Sequence, residues 1–334
     1  MLFVGTEHGV YCSTDAGENL SNLSLNLPST PVMGIEVKNN DLVIATHGRS
    51  FWILDNIGAL RQMSEVKKKV GLKLFKPTEA VRRSRRAVFD FHLQKKKNQV
   101  KLVVKNEQSE VIRVIYEGEL GKGFHRKKWN LRHKGATVFP NIILEGGNPR
   151  RGPWAVPGSY IVSLEVNGKI KEQTFELKKD PRLTDVSQKD LEAQFELAMN
   201  IRNAENAANQ SIIKIRNLTN QLKTLARTNT TTEIAKKAEL IDKQLRKVEE
   251  KIYQVRNQSP KDKIAFPIQL NDRLTGLRSR LEKGDGAPPK AFYQVYDELS
   301  GELNQHLSKL KLVLEKDLVK FNELLEEAQL PKVY

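Results

Sequence analysis

Two turns within the first sixty residues carry the side chains best suited to chemistry: His47-Gly48-Arg49 and Glu7-His8-Gly9. An arginine can grip a carboxylate through paired N–H donors, and a glutamate or histidine can pass a proton. Glu7, His47 and Arg49 are therefore the candidate catalytic residues. The competing interpretation, and the favoured one, is structural: His-Gly makes a turn and Arg49 serves as a hydrogen-bonding strut. A glycosidase would also need two carboxylates about 5–9 Å apart. Asp15 and Asp55 fit that role poorly, because each closes a strand in a turn where Asp commonly bonds its own backbone.

The elements that hold these turns repeat. DLVIATHGRSFWILD (41–55) reads as strand, tight connection, strand, and LFVGTEHGVYCSTD (2–15) has the same plan. In each, an apolar strand ending in Thr leads through a His-Gly turn to an aromatic strand and a closing Asp. Aligning Leu2 with Leu42 gives a period of about forty residues, the length of a β-propeller blade. A further strand is expected at 32–37. Five strands make little more than one blade, and a propeller needs at least about four to close its ring. Residues 1–60 are thus expected to be a partial β-propeller, the closing blade or blades of a longer, truncated protein.

Downstream, RQMSEVKKKVG (61–71) reads as a linker. About seven short alternating strands follow over 72–180, and they predict an immunoglobulin-like β-sandwich. Asn167-Gly168 is the dipeptide of a type I′ hairpin between the last two. After Lys178-Lys179-Asp180-Pro181 the apolar period changes from two to 3.6. Four amphipathic helices are expected at about 188–226, 233–257, 268–283 and 288–328, with Asp185 or Ser187 capping the first. Short connections make the tail at 181–334 an antiparallel four-helix bundle. The fold class is multidomain, β then α.

The net charge of +16 is uneven. Residues 1–60 hold 2 Lys/Arg against 6 Asp/Glu, residues 61–180 hold 28 against 12, and residues 181–334 hold 26 against 22. The basic middle contains Lys67-Lys68-Lys69, Arg82-Arg83, Arg85-Arg86, Lys95-Lys96-Lys97, Arg126-Lys127-Lys128 and Arg150-Arg151. Lys95, Lys96, Lys97, Arg126, Lys127 and Lys128 are candidates for binding a polyanion such as nucleic acid or an acidic glycan. Solvated loop charge is the plainer account of the same residues. Cys12 is the single cysteine and excludes an intramolecular disulfide. No apolar run nears the roughly 18 residues of a membrane span. MLFVGTEHG has no basic n-region of a signal peptide. Nucleophile-elbow, P-loop, HExxH and EF-hand patterns are absent, and the six histidines show no ligand spacing. No cofactor or metal is expected.

Ser13-Thr14-Asp15-Ala16-Gly17 resembles the start of an Asp-box, S-x-D-x-G-x-x-W, with Leu20 standing where Trp is usual. Ser13, Asp15 and Gly17 would be its structural residues. ATHGRSFWILDNI resembles the last blade of bacterial BNR-repeat, sortilin-N-terminal-like proteins that carry a glycosyl hydrolase label. In that family a propeller precedes a β-sandwich and a helical tail, so the resemblance extends along the chain. It implies a secreted or periplasmic protein whose export signal would lie upstream of Met1. It also implies partners: the remaining propeller blades, or a second subunit. Three functions follow as expectations. The leading one is a non-catalytic scaffold or interaction module. The others are a glycan-acting hydrolase with its site at the hairpins, and a polyanion binder using the basic sandwich.

Overall fold

The computed structural model describes residues 1–63, 72–228 and 232–334. Most of the expected linker at 61–71, the Lys67–Lys69 cluster and the centre of the Thr-rich turn at 228–232 lie outside the described residues. The chain is built of mixed β-sheets followed by a helical C-terminal region. Two compact units form: residues 1–131 with 156–183, and residues 132–155 with 184–334.

In the first unit, strands β1 (Leu2–Thr6), β2 (Gly9–Ser13) and β3 (Ser21–Asn22) make one small antiparallel sheet. Strands β4 (Val32–Lys38), β5 (Asp41–Thr46) and β6 (Phe51–Leu54) make a second. The two sheets share a small core of Val10, Leu27, Leu42, Ile44 and Ile57, against which Phe3, Ile35, Trp52 and Leu54 pack. Ile57 and Leu60 belong to or flank the short helix α1 (Gly58–Gln62). Gly5 is needed at the contact between the sheets, since a Cβ there would lie 2.7 Å from Val32 Cγ1. Alternation then sends the opposite face of β5 and β6 outward. Cross-strand partners Val43–Ile53 and Ala45–Phe51 share that face, and Phe51 and Ile53 are 74% and 61% exposed.

The rest of the first unit adds β7 (Lys73–Leu74), β8 (Ala80–Val81), β9 (Ala87–Leu93), β10 (Asn98–Lys105), β11 (Val111–Leu120) and β12 (Gly123–Trp129). A five-stranded sheet runs β11-β10-β15-β16-β8, using β15 (Gly158–Val166) and β16 (Lys169–Lys178), and a three-stranded sheet runs β12-β9-β7. Rings from the two sheets meet edge to face: Phe89 with Phe175 at 5.3 Å and Trp129 with Tyr160 at 5.4 Å. Such pairs add to the burial of the rings themselves. Asn167 and Gly168 both have positive φ, 47° and 80°, as the I′ turn requires. Strand β8, too short for a periodic signal, pairs parallel with β16.

The second unit contains helices α2 (Gln188–Thr228), α3 (Thr232–Ile252), α4 (Leu270–Leu281), α5 (Lys290–Leu312) and α6 (Leu318–Glu327). Ser187 is the cap of α2: the Asp190 N–H donates to its hydroxyl, and its own N–H donates to the Asp190 carboxylate. The apolar stripe of the last helix steps 310, 313, 318, 321, and its five-residue gap coincides with a π-helical turn at Val313–Asp317. That turn joins α5 to α6 and keeps Val313 and Leu318 on the buried side. The Gly/Pro-rich stretch at 139–158, inside the span expected to form the sandwich, is different in kind. Up to Ala155 it belongs with the helices, and it is held at its base by two unforeseen strands, β13 (Arg132–Lys134) and β14 (Arg151–Trp154). Phe139 is buried in the helical core beside Tyr253.

Candidate functional site

The two hairpin turns share a clasp but not a length. In the first, Glu7 and His8 form a two-residue loop, and the Thr6 hydroxyl donates to Gly9 O at 3.1 Å. In the second, the loop covers residues 47–50, and the Thr46 hydroxyl donates to Ser50 O at 2.6 Å. His47 and Arg49 act there through their backbones. The His47 carbonyl accepts from the Thr30 hydroxyl at 3.0 Å, and the Arg49 carbonyl accepts from Trp52 Nε1 at 2.9 Å. The side chains of Glu7, His47 and Arg49 are exposed. Gly48 and Ser50, at φ 73° and 64°, turn the chain through the left-handed region.

Ser13, Asp15 and Gly17 build a closed turn. The Ser13 hydroxyl donates to Asp15 Oδ1 at 2.7 Å and accepts from Gly17 N–H at 2.8 Å. Asp15 also accepts from the backbone and side-chain N–H groups of Asn19. With both carboxylate oxygens so engaged, Asp15 orders its turn. Gly17, at φ 104°, occupies backbone space that a side chain would strain.

The basic cluster at 126–128 is largely committed. Arg126 and Asp90 face each other across β12 and β9, and the guanidinium binds both carboxylate oxygens at 2.7 and 2.8 Å. Its remaining N–H groups donate to the carbonyls of Asp55 and Asn56, just after β6. One side chain thus neutralises a buried carboxylate and ties the end of the second small sheet to β12. Asp41 acts from the other direction, accepting from Asn56 N–H and pairing with Arg85. Lys127 lies over the Tyr116 ring at 3.9 Å, and Lys128 is 4.0 Å from Asp55. A cleft of about 460 Å³ opens here, lined by Asp41, Asp55, Arg85, Arg86 and Lys128 among others. Lys95, Lys96 and Lys97 are exposed in the turn between β9 and β10. The signal for Arg126 lay in its partner: Asp90 interrupts the apolar strand AVFDFHL and needs a cation.

The helical unit contains an ionic cluster that sequence reasoning missed. Arg278 Nε donates to both oxygens of Glu205 at 3.1 Å, and its Nη1 donates to Glu282 at 3.3 Å. Arg132 Nη1 reaches Glu282 at 3.2 Å, and the Trp154 N–H donates to the same carboxylate at 2.8 Å. Arg278 Nη1 also donates to Arg151 O at 2.6 Å. Strands β13 and β14 are in this way fastened to α4 and α2. Glu205 is fully buried, and burial outweighs the guanidinium beside it, pushing its carboxyl up to about 7. His133, also held down by burial and then by the positive charge of Arg202, falls to about 4. Two carboxylates sharing one guanidinium could move a proton, but both are buried and bonded to guanidinium and backbone N–H groups. Among the described residues no group of three or more His, Cys, Asp or Glu side chains is placed to hold a metal ion. No described helix is long and apolar enough to cross a membrane.

No family model matches the chain, and no curated protein matches it. Among solved structures, 45% of the chain is similar to 69% of a structure of domains 4 and 5 of the S-layer protein SbsC, at 10% identity and a TM-score of 0.19. A second likeness, to a chain named pT26-6p, spans 89% of this chain and 67% of that one, at 10% identity and a TM-score of 0.15. At these scores neither carries an argument.

Proposed function

We propose that this chain is a non-catalytic scaffold and interaction portion of a BNR-propeller, glycosyl-hydrolase-like protein. In this reading residues 1–60 are blade-like repeats, 72–180 contribute an immunoglobulin-like sandwich and the tail is an antiparallel bundle. The observation that carries it is the outward face of β5 and β6. An apolar face holding Phe51 and Ile53 marks an interaction surface more readily than a solvent boundary. Two small sheets with the same strand–turn–strand plan already share a core, which is how repeat units bury theirs. A further unit of that plan is the natural cover, and a second copy of the chain is the alternative. The hydroxyl of Tyr160, donating to Val156 O at 2.6 Å just upstream, supports the immunoglobulin-like assignment as a tyrosine corner would. The closed turn of Ser13, Asp15 and Gly17 supports the Asp-box reading. A secreted or periplasmic location goes with that family.

The competing hydrolase reading would place Glu7, His47 and Arg49 in a site. A panel of aryl glycosides should give no turnover above buffer with the chain. Turnover that disappears in Glu7→Gln and Arg49→Ala would replace the scaffold by an enzyme. The exposed Lys95–Lys97 turn favours a second reading, polyanion binding. Its test is heparin affinity that falls with salt and is lost when all three lysines become alanine.

A further inference from the structure

A groove of about 430 Å³ in the helical unit has the lining of a ligand site. Its floor is apolar: Leu277 of α4, Val295 and Leu299 of α5, and Ile268 just before α4. Leu277 and Leu299 belong to the core, whereas Ile268 and Val295 are about 40% exposed. Cations stand along the groove at Arg273, Arg280 and Lys283. Arg273 pairs with Glu302 at 3.2 Å, while Arg280 and Lys283 are exposed and in no ion pair among the described residues.

The far wall is fixed in advance. Asp272 accepts the N–H groups of Gly146 and Glu145 at 2.6 and 2.9 Å, which draws that backbone onto α4. The approach is so close that a Cβ at Gly146 would lie 2.5 Å from Asp272 O and 2.6 Å from Gly276 N. Of the two carboxylates lining the groove, Asp272 is buried with both oxygens engaged, and Glu145 is exposed. Preformed, mostly apolar concavities with a few convergent polar groups are where small ligands bind. An apolar floor beside exposed cations selects a molecule with an apolar body and one anionic head.

We propose that this groove binds an amphipathic organic anion, with the apolar part on Val295, Ile268 and Leu299 and the head between Arg280 and Lys283. The inference is independent of the scaffold reading, because it uses none of the hairpin residues. The test is a fluorescence titration of the full chain with 8-anilinonaphthalene-1-sulfonate, with helicity monitored by circular dichroism. Saturable one-to-one binding is expected, displaced by octanoate but not by 1-octanol at the same concentration. Arg280→Glu with Lys283→Glu should weaken it at least tenfold with helicity unchanged, and Val295→Asp should weaken it independently. Phe51→Ser with Ile53→Ser should leave it intact. No saturable binding, binding indifferent to the charge reversal, or binding lost in the Phe51/Ile53 variant would each overturn the proposal.

Discussion

The two small sheets at the start of the chain and the helical unit solve the same problem at very different depth. The sheets share five buried apolar residues and leave a second apolar face open, whereas the helical core holds twenty-nine among the described residues. The helical unit can therefore keep charge inside: Glu205 is 0% and Arg278 3% exposed. The small sheets keep their charge at the margin, where Arg126 and Arg85 tie Asp55, Asn56 and Asp41 to neighbouring strands. A deep core supports a buried ionic cluster as a structural fastening. A thin one depends on ties at its edges and on whatever covers its open face.

The largest effect that sharpens this contrast belongs to Arg278. Arg278→Ala leaves Glu205 and Glu282 buried without their shared cation and should cost about 3–5 kcal/mol. Chemical denaturation followed by helicity would show it. Arg126→Ala should cost less, about 2–3 kcal/mol, because its guanidinium is partly exposed although Asp90 is not. The loss should appear first as faster amide exchange in 51–57, the segment whose carbonyls it holds. Equal costs at the two sites would break the comparison.

The acid response separates two desolvated groups whose shifts have opposite sign. Glu205 is raised from 4.5 to about 7, so its contribution is complete below pH 4.5 and lost as pH rises through 7. His133 is lowered from 6.5 to about 4, so its contribution is complete above pH 6.5 and lost as pH falls through 4. Between pH 4.5 and 6.5 the two oppose each other, and the melting temperature should change little. Glu205→Gln should leave a melting temperature that rises with pH across that window, and His133→Phe one that falls. Thermal scans at half-unit intervals decide it, and parallel profiles in the two variants would contradict these assignments.

Much of the fold was legible because it is periodic. The helices of the tail and strands β9 to β12 carry repeats of 3.6 and two, and the helices end within about five residues of the limits expected from sequence. What stayed hidden lacks a period. The segment 132–155 is rich in Gly and Pro, and its anchors Asn206, Asn209, Asp272 and Glu282 are scattered through helices far along the chain. Strands β13 and β14 could not be read for that reason. The ionic cluster did leave a trace, since Glu205 falls on the buried stripe between Ile201 and Ala208 and Arg278 sits among Leu274, Leu277 and Leu281. A charge on an apolar stripe asks for a partner, and each supplied the other. Glu7, His47 and Arg49 were conspicuous by residue type, yet their turns are held by backbone groups and threonine hydroxyls, which leave no such mark.

The open face of β5 and β6 carries the proposed interaction role most directly. Sedimentation velocity over a hundredfold range of concentration would measure whether that face associates. An interaction surface without its cover should draw copies of the chain together as concentration rises. Phe51→Glu with Ile53→Glu should restore a monomer throughout with little change in melting temperature. A wild-type chain that stays monomeric across the whole range, indistinguishable from the double variant, would contradict the interaction role proposed for it.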